Sequence, residues 1–399
     1  MKTPLKIGMV AACPFPCARG TPVRIFRLSE ALAQAGCEIH VVTYHLQEKM
    51  DYPAGEFPFR IHRTMKVKTY NKFAPGPSYQ KLFILDFLLF RRLKKIIKTY
   101  NIDLIHAHHY DGLLAGLVAS RETNCPVIYD AHTTLESELP FYNLGLPKWV
   151  KLFMGKFLDH RLPGKADHII CVSREIKNKL IEIDPGLEKR ITVVMNGVEV
   201  NHFDIPEDKS TTEDRKTLVY AGSLAPFQGT DIMLLAFRKV LDKRPDLRLL
   251  VVTNSSPEPY QWLLKELNLQ SKIEFVRASF GELPKYLKSG TVLLNPRMIC
   301  EGMPQKLLNY MAAKRPIVSF SGSAKVLTHK ESGYIVQKNS VEDFGDGILF
   351  LLDNPELCAA IAANAQRLVS TQFSWEEAAN RTLNIYDRVL SATACRQSN

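Results

Sequence analysis

The chain is 399 residues long, 46% hydrophobic and 23% charged, with 21 Gly and 23 Pro. That composition excludes disordered, collagen-like and fibrous proteins, and the length exceeds what one core usually serves, so two domains are expected. The formal charge of +11 is carried mostly by residues 1–200, with 28 Lys+Arg against 19 Asp+Glu; that half either meets an anionic partner or presents a merely solvated basic face.

The opening MKTPLKIGMVAACPFPC has an apolar run that is short for an export signal and broken by Pro14, so it reads as a buried first strand. Short β-branched runs then alternate with segments of helical period: KIGMVAA, IFRLSEALAQAG, EIHVVTY, and later IDLIHAH, GLLAGLVASRE and PVIYDAH. That order implies βαβ units and a parallel sheet. Between them, residues 79–100 join an aromatic and aliphatic run to Arg91, Arg92, Lys94, Lys95 and Lys98, and residues 146–161 (LPKWVKLFMGKFLDHR) are of similar composition. Each suits a helix lying on an anionic membrane surface, or equally a core helix with a solvated end; their shared place in the basic half favours the membrane. The aromatics are not interleaved with basic residues in a nucleic-acid-binding pattern, so no nucleic acid is expected. The longest apolar run, LFILDFLLF, contains Asp86 and is about half a membrane span, so no crossing is expected.

The alternation weakens over the polar stretch 201–216, which sets a boundary between domains 1–200 and 201–374. It resumes with TLVYAGS, DIMLLAFRKVL, LRLLVVT, IEFVRAS, TVLLNPR and PIVSFSG. Two doubly wound α/β sheets in series are expected, with ligands at the carboxyl ends of their strands, facing one another across a cleft. The amphipathic segment 375–392 is expected to pack back on the first domain. Eight scattered cysteines without a Cys-x-x-Cys spacing read as reduced thiols in a cytoplasm.

The chemistry concentrates in CEGMPQKLLNYMAAKRP, 300–316. Gly302 and Pro304 suit a helix start whose first-turn N–H groups, with the positive end of the helix, form a phosphate site needing no metal. Glu301 stands just outside that turn, where it either accepts hydrogen bonds from sugar hydroxyls or simply caps the helix. HAHH (106–109) places His106 and His108 on one side of a strand. A metal reading is disfavoured, because no third and fourth ligand stand at a recognised spacing. No Walker loop, Gly-x-Gly-x-x-Gly, nucleophile elbow or HExxH is present, which argues against kinases, nicotinamide oxidoreductases and hydrolases.

The acid, glycine, turn and helix of 300–316, followed by AAKRPIV, resemble the donor-binding motif of glycosyltransferase family 4. RGTPVRIFRLSEALAQAG, DLIHAHH, VIYDAHT, ADHIICVSREIKNKL, VVMNGVEVNHF and YAGSLAPFQGTDIMLLAF resemble further family segments along nearly the whole chain. The resemblance implies a GT-B fold and a retaining hexosyltransferase whose co-substrate is a UDP- or GDP-linked sugar and whose acceptor is a glycan or lipid-linked sugar. No cofactor and no metal are implied. Glu301 and His132 would orient the sugar, although a core histidine bonded to backbone would look the same at 132. The donor would be held by Gly20, Arg24, Arg174, Asn196, Gly222, Ser223, Gln228, Arg297, Gly302, Met303, Pro304, Gln305, Lys306 and Asn309. Three positions depart from the family pattern. Asn309 stands where a second glutamate meets the ribose, and Ser223 and Gln228 stand where many members place Arg and Lys on the diphosphate. Arg297, Lys306, Arg174 or Arg24 would then supply the missing charge. The rival readings are a nucleotide-sugar epimerase of the same fold, which would isomerise donor without acceptor, and a non-catalytic sugar-nucleotide binder. The expected setting is polysaccharide, lipopolysaccharide or glycolipid synthesis, in the cytoplasm and peripheral on the inner face of the membrane.

Overall fold

The computed structural model describes residues 4–17, 20–48, 56–73, 76, 78–142, 144–206, 216–300 and 302–397. Glu301 lies outside the described residues. The chain divides into two compact units, Met1–Asn196 with Trp375–Asn399, and Gly197–Ser374.

The first unit is built on seven strands: β1 (Lys6–Ala11), β2 (Glu38–Thr43), β3 (Arg60–Arg63), β4 (Leu104–His108), β5 (Val127–Ala131), β6 (His168–Cys171) and β7 (Ile191–Val193), in the order β3-β2-β1-β4-β5-β6-β7. Every described pairing is parallel. The connecting helices are α1 (Gly20–Gln34), α2 (Asp86–Tyr100), α3 (His109–Thr123), α4 (Leu135–Glu138), α5 (Lys148–Arg161) and α6 (Arg174–Ile183). Successive strand residues point to opposite faces, which gives the sheet two cores. Ile7, Met9, Val41 and Ile128 pack on one face with Phe26 of α1 and with Trp375, Ala379 and Tyr386 of the last helix. Val10, Val42, Ile105 and Val127 pack on the other with Leu89 and Leu93 of α2, Leu113 of α3 and Ile176 of α6.

The second unit carries β8 (Thr217–Ala221), β9 (Arg248–Val252), β10 (Ile273–Val276), β11 (Val292–Asn295), β12 (Ile317–Phe320) and β13 (Tyr334–Val336), all parallel in the order β10-β9-β8-β11-β12-β13. Its helices are α7 (Thr230–Lys243), α8 (Gln261–Glu266), α9 (Leu283–Ser289), α10 (Gln305–Ala312), α11 (Ser321–Ala324), α12 (Val341–Asp353) and α13 (Pro355–Gln372); α14 (Trp375–Gln397) belongs to the first unit. Leu218, Tyr220, Leu249, Leu294 and Phe320 meet Met233 and Phe237 of α7 and Phe344 and Ile348 of α12.

In both sheets the order of strands reverses beside the first strand of the unit, between β1 and β4 and between β8 and β11. Loops leaving the carboxyl ends there diverge to opposite faces, and that divergence opens a crevice for a ligand.

Candidate active site

In the second unit this crevice is organised by α10. The Tyr310 hydroxyl, fully buried, accepts the Ala221 amide at 2.7 Å and reaches the Ala221 and Leu294 carbonyls at 3.2 and 3.3 Å, fixing the helix to the ends of β8 and β11. Pro304 precedes Gln305, the first helical residue, in extended backbone (φ −68°, ψ 115°). Pro304 thus stands one position before the helix rather than in its first turn. Lys306, one residue into α10, donates to Gln228 Oε1 at 2.9 Å and lies 4.8 Å from the centroid of the Tyr220 ring. Gly222 adjoins them: a Cβ built there would lie 3.0 Å from the Tyr220 hydroxyl and 3.7 Å from Lys306 Cδ. The Tyr220 hydroxyl donates to the Ser223 carbonyl at 2.6 Å and holds that loop in place. Arg297, after β11, donates to the Ile299 carbonyl at 2.8 Å and lies over Phe227 at 5.2 Å. Burial, and then the neighbouring Arg297 guanidinium, lower Lys306 to about 7. Among the described residues no carboxylate forms an ion pair with Lys306 or Arg297. Asn309 is buried, and its Oδ1 finds no hydrogen-bond partner among the described residues.

Two expected positions have other work. Gln305 donates through Nε2 to the Gly197 carbonyl at 2.8 Å, and Met303 is buried. Gly229, which closes the turn after Gln228, has φ +74°, and a Cβ there would lie 2.2 Å from the Pro296 carbonyl oxygen. Gly229→Ala is therefore expected to cost more than about 1 kcal/mol, because the new side chain is both strained and blocked; chemical denaturation of the variant measures it.

The first unit gathers a different set at the ends of β1, β4 and β5. Asp130 is fully buried and accepts from Arg24 Nε at 3.1 Å and Nη2 at 2.9 Å, while Arg24 Nη1 donates to Asn196 Oδ1 at 2.9 Å. Arg24 is 1% exposed, so its charge is spent inside this unit. Arg24 and Asn196, both expected among the donor-binding residues, bond one another and, through Arg24, Asp130. Arg174 is exposed at the start of α6, and Gly20 begins α1 with open space where a side chain would be.

His106 bonds Tyr386 of α14 through Nδ1 (2.6 Å) and Asp130 through Nε2 (3.2 Å). His108 stacks on it at 4.6 Å and reaches His132 Nε2 at 3.1 Å. His132 stacks on His109 at 4.6 Å, and Thr21 Oγ1 contacts His109 Nε2 at 2.8 Å and His132 Nδ1 at 3.4 Å. Burial would raise the Asp130 carboxyl, but Arg24 and the imidazoles of His132, His106 and His108 hold it well below the usual range. Burial likewise depresses His108, His109 and His132, leaving them neutral near pH 7. His106, His108 and Asp130 could together hold a cation, their ligating atoms lying within 4.8 Å of one another. That cation would have to displace the His106 hydrogen bond and share Asp130 Oδ2 with the Arg24 guanidinium, although His108 Nε2 and Asp130 Oδ1 are buried without a hydrogen-bond partner among the described residues.

Thr21, His109, Asp130 and Tyr386 were not singled out from sequence. HAHH alone hinted at His109, whose φ of +59° opens α3. A depression of about 680 Å³ lined by Leu117, Arg121, Pro126 and Asp167 lies at the opposite, amino-terminal edge of this sheet, away from these groups.

Two parallel α/β sheet units in one chain are the architecture of the GT-B fold. Comparison with known proteins supplies the family. The sequence model of Glycosyltransferase Family 4 matches residues 18–202, and that of Glycosyl transferases group 1 matches residues 202–368. Together they span both units, and the chain belongs to glycosyltransferase family 4. It is 25% identical over 358 residues to the uncharacterized glycosyltransferase MJ1178 of Methanocaldococcus jannaschii, covering 88% of this chain and 90% of that one. Among solved structures it is similar to Anabaena Alr3699/HepE in complex with UDP and glucose, with TM-score 0.73, 15% identity and 96% and 100% of the two chains covered. It is also similar to WaaG, a glycosyltransferase involved in lipopolysaccharide biosynthesis, with TM-score 0.71, 13% identity and coverage of 95% and 99%.

Proposed function

We propose that the chain transfers a hexosyl group, with retention of anomeric configuration and without a catalytic metal, from a UDP- or GDP-linked sugar to a glycan or lipid-linked acceptor. The carrying observation is the pair of cations, Lys306 and Arg297, that no described carboxylate neutralises at the start of α10. Such a pair, with the first-turn amides, suits a diphosphate and takes up the charge that develops on it as the sugar leaves. They stand in for the Arg and Lys missing at Ser223 and Gln228; Gln228 instead orients Lys306. Asn309 Oδ1, without a partner among the described residues, suits a ribose hydroxyl, and HepE, of the same fold, binds UDP and glucose.

In this reading the bond between the sugar's anomeric carbon and the diphosphate oxygen breaks while the acceptor oxygen bonds the same carbon on the same face. The acceptor proton passes to a phosphate oxygen. Glu301 grips the sugar hydroxyls. The first unit receives the acceptor near His132 and His109, and lies through 79–100 and 146–161 against the inner face of an anionic membrane. No helix among the described residues is by itself long and apolar enough to cross a bilayer. The product belongs to cell-surface polysaccharide, lipopolysaccharide or glycolipid synthesis.

A thermal-shift screen of nucleotide sugars is the direct test, since a ligand bound only by the folded chain raises its melting temperature. A shift with one UDP- or GDP-sugar is expected, and none with any would count against the reading. Glu301→Ala should then abolish most turnover on that donor with little change in melting; unchanged activity would remove Glu301 from the site.

A further inference from the structure

Arg297 stands on an irregular segment, 296–300, that leaves β11 and leads towards α10. Such a segment has no ladder of its own and must satisfy its backbone groups elsewhere. Two of its hydrogen bonds come from the turn after β12: the Ser323 hydroxyl donates to the Arg297 carbonyl, and the Cys300 amide donates to the Gly322 carbonyl at 3.1 Å. Two glycines also close on the segment. A Cβ at Gly322 would lie 2.1 Å from the Met298 carbonyl oxygen, much as one at Gly229 would meet that of Pro296. Gly322 has no positive φ, so what it contributes is close approach and not conformational freedom.

Ser323 is itself held by the end of β11. Asn295, Ser319 and Ser323 are all fully buried. A side-chain amide nitrogen carries two protons, and those of Asn295 Nδ2 go to Ser319 Oγ at 2.8 Å and to Ser323 Oγ at 3.0 Å. Each serine then has one proton to give. Ser319 donates to the Phe320 carbonyl at 3.1 Å, within its own turn, whereas Ser323 donates across to the Arg297 carbonyl. Of two buried hydroxyls on one amide, the one that bonds the segment bearing Arg297 is therefore Ser323.

A guanidinium on a long, rotamer-rich side chain meets an anion at a set distance only if its backbone is fixed first. We propose that Ser323 and Gly322 are positioning residues of the donor site: they fix the backbone of 296–300 so that the Arg297 guanidinium, braced on the Ile299 carbonyl and the Phe227 ring, stands beside Lys306. They act through Arg297 and not on the donor itself. That the site holds a donor rests on the function proposed above; the bracing of Arg297 beside Lys306 does not.

The test reads Lys306, which burial and then Arg297 lower to about 7. Trace acetylation of the full chain with acetic anhydride over a range of pH, the Lys306 peptide being quantified by mass spectrometry, follows this ionisation without any donor. Ser323→Ala drops the hydroxyl, and Gly322→Ala pushes on Met298 while leaving every polar group in place. In both, Arg297 is released and the Lys306 ionisation constant should fall at least about three-fold. Ser319→Ala loses an equally buried hydroxyl on the same amide; it should lower the melting temperature as Ser323→Ala does, yet leave Lys306 as in the wild type. In an Arg297→Met background Ser323→Ala should move Lys306 no further, and Ser323→Thr, which keeps the hydroxyl, should retain the wild-type ionisation. A wild-type Lys306 that ionises as an ordinary lysine, an unmoved Lys306 in either Ser323→Ala or Gly322→Ala, an equal shift in Ser319→Ala, or a shift that persists without Arg297 would overturn the proposal. With a donor in hand, Ser323→Ala should lower kcat about ten- to a hundred-fold, more than it raises KM, and move the alkaline limb of kcat/KM upward; an unchanged kcat and limb would count equally against it. Absence of any donor-induced shift in the wild-type chain counts against the proposed function and leaves the acetylation result to decide the positioning.

Discussion

Asp130→Ala should lower the stability of the first unit by about 3–5 kcal/mol, the cost of leaving one member of a buried ion pair without its partner. Arg24 would then hold a full charge at 1% exposure, with Asn196 Oδ1 as its remaining hydrogen-bond acceptor among the described residues. Hydrogen exchange of the β4 and β5 amides measures the loss in this unit separately from the other. Adding Arg24→Met should recover part of it, because the orphaned charge goes too. A loss below about 1 kcal/mol, or additive single effects, would show that the network does not hold the sheet ends. Acid should act in the same direction. The Asp130 contribution is complete above about pH 4, where the unfolded carboxyl is ionised, and is lost as pH falls through its lower folded value. His108, His109 and His132 are depressed, so below about pH 6.5 the unfolded chain binds more protons than the folded one, and stability falls as pH falls. In an Asp86→Asn background, which removes a carboxyl that burial raises to about 7 and that opposes this trend, a melting temperature that rises on acidification from neutrality would contradict the histidine assignment, and one that does not fall below about pH 4 would contradict the Asp130 assignment.

Lys306→Met should reduce turnover about 10²- to 10³-fold, as removal of one preorganised charge stabiliser does elsewhere, without lowering the melting temperature. The thioether chain fills similar volume against Tyr220 and removes an ammonium that burial disfavours. The pH profile separates this role from a structural one. With Lys306 at about 7 in the free protein, kcat/KM for the donor should fall as pH rises past neutrality, since the diphosphate needs the protonated amine. That limb should vanish in Lys306→Met and return, displaced far to alkaline pH, in Lys306→Arg. An alkaline limb unchanged in the methionine variant would assign the ionisation to another group.

The alternation of apolar runs made much of both sheets readable, because a strand buried on both faces must be apolar throughout. KIGMVA, EIHVVT, LIHAH and VIYDA became β1, β2, β4 and β5, and the runs after residue 216 became β8 to β12. The strand β3, RIHR, was not legible. It lies at the sheet edge, and its conformation comes from pairing with β2, where His40 and His62 exchange a 2.9 Å contact, rather than from its own composition. The π-helical turn at Lys81–Leu85 was hidden for a similar reason, since its sequence is that of an ordinary amphipathic helix.

The sites divide the same way. Motif and spacing were enough to locate a helix start at 302–306 and a histidine at the end of β5, because those features depend on neighbours a few residues away. Which cation serves which anion was not a local matter. Arg24 and Arg297 look equivalent in sequence, yet Asp130, 106 residues distant, neutralises the first, while the second stays without a described carboxylate partner beside Lys306. The sequence by itself determined the class of fold and the place of the 302–306 helix start along the chain. Only the tertiary structure decided the state of each charge, since desolvation and pairing are properties of the space around a group and not of the residues beside it in the chain.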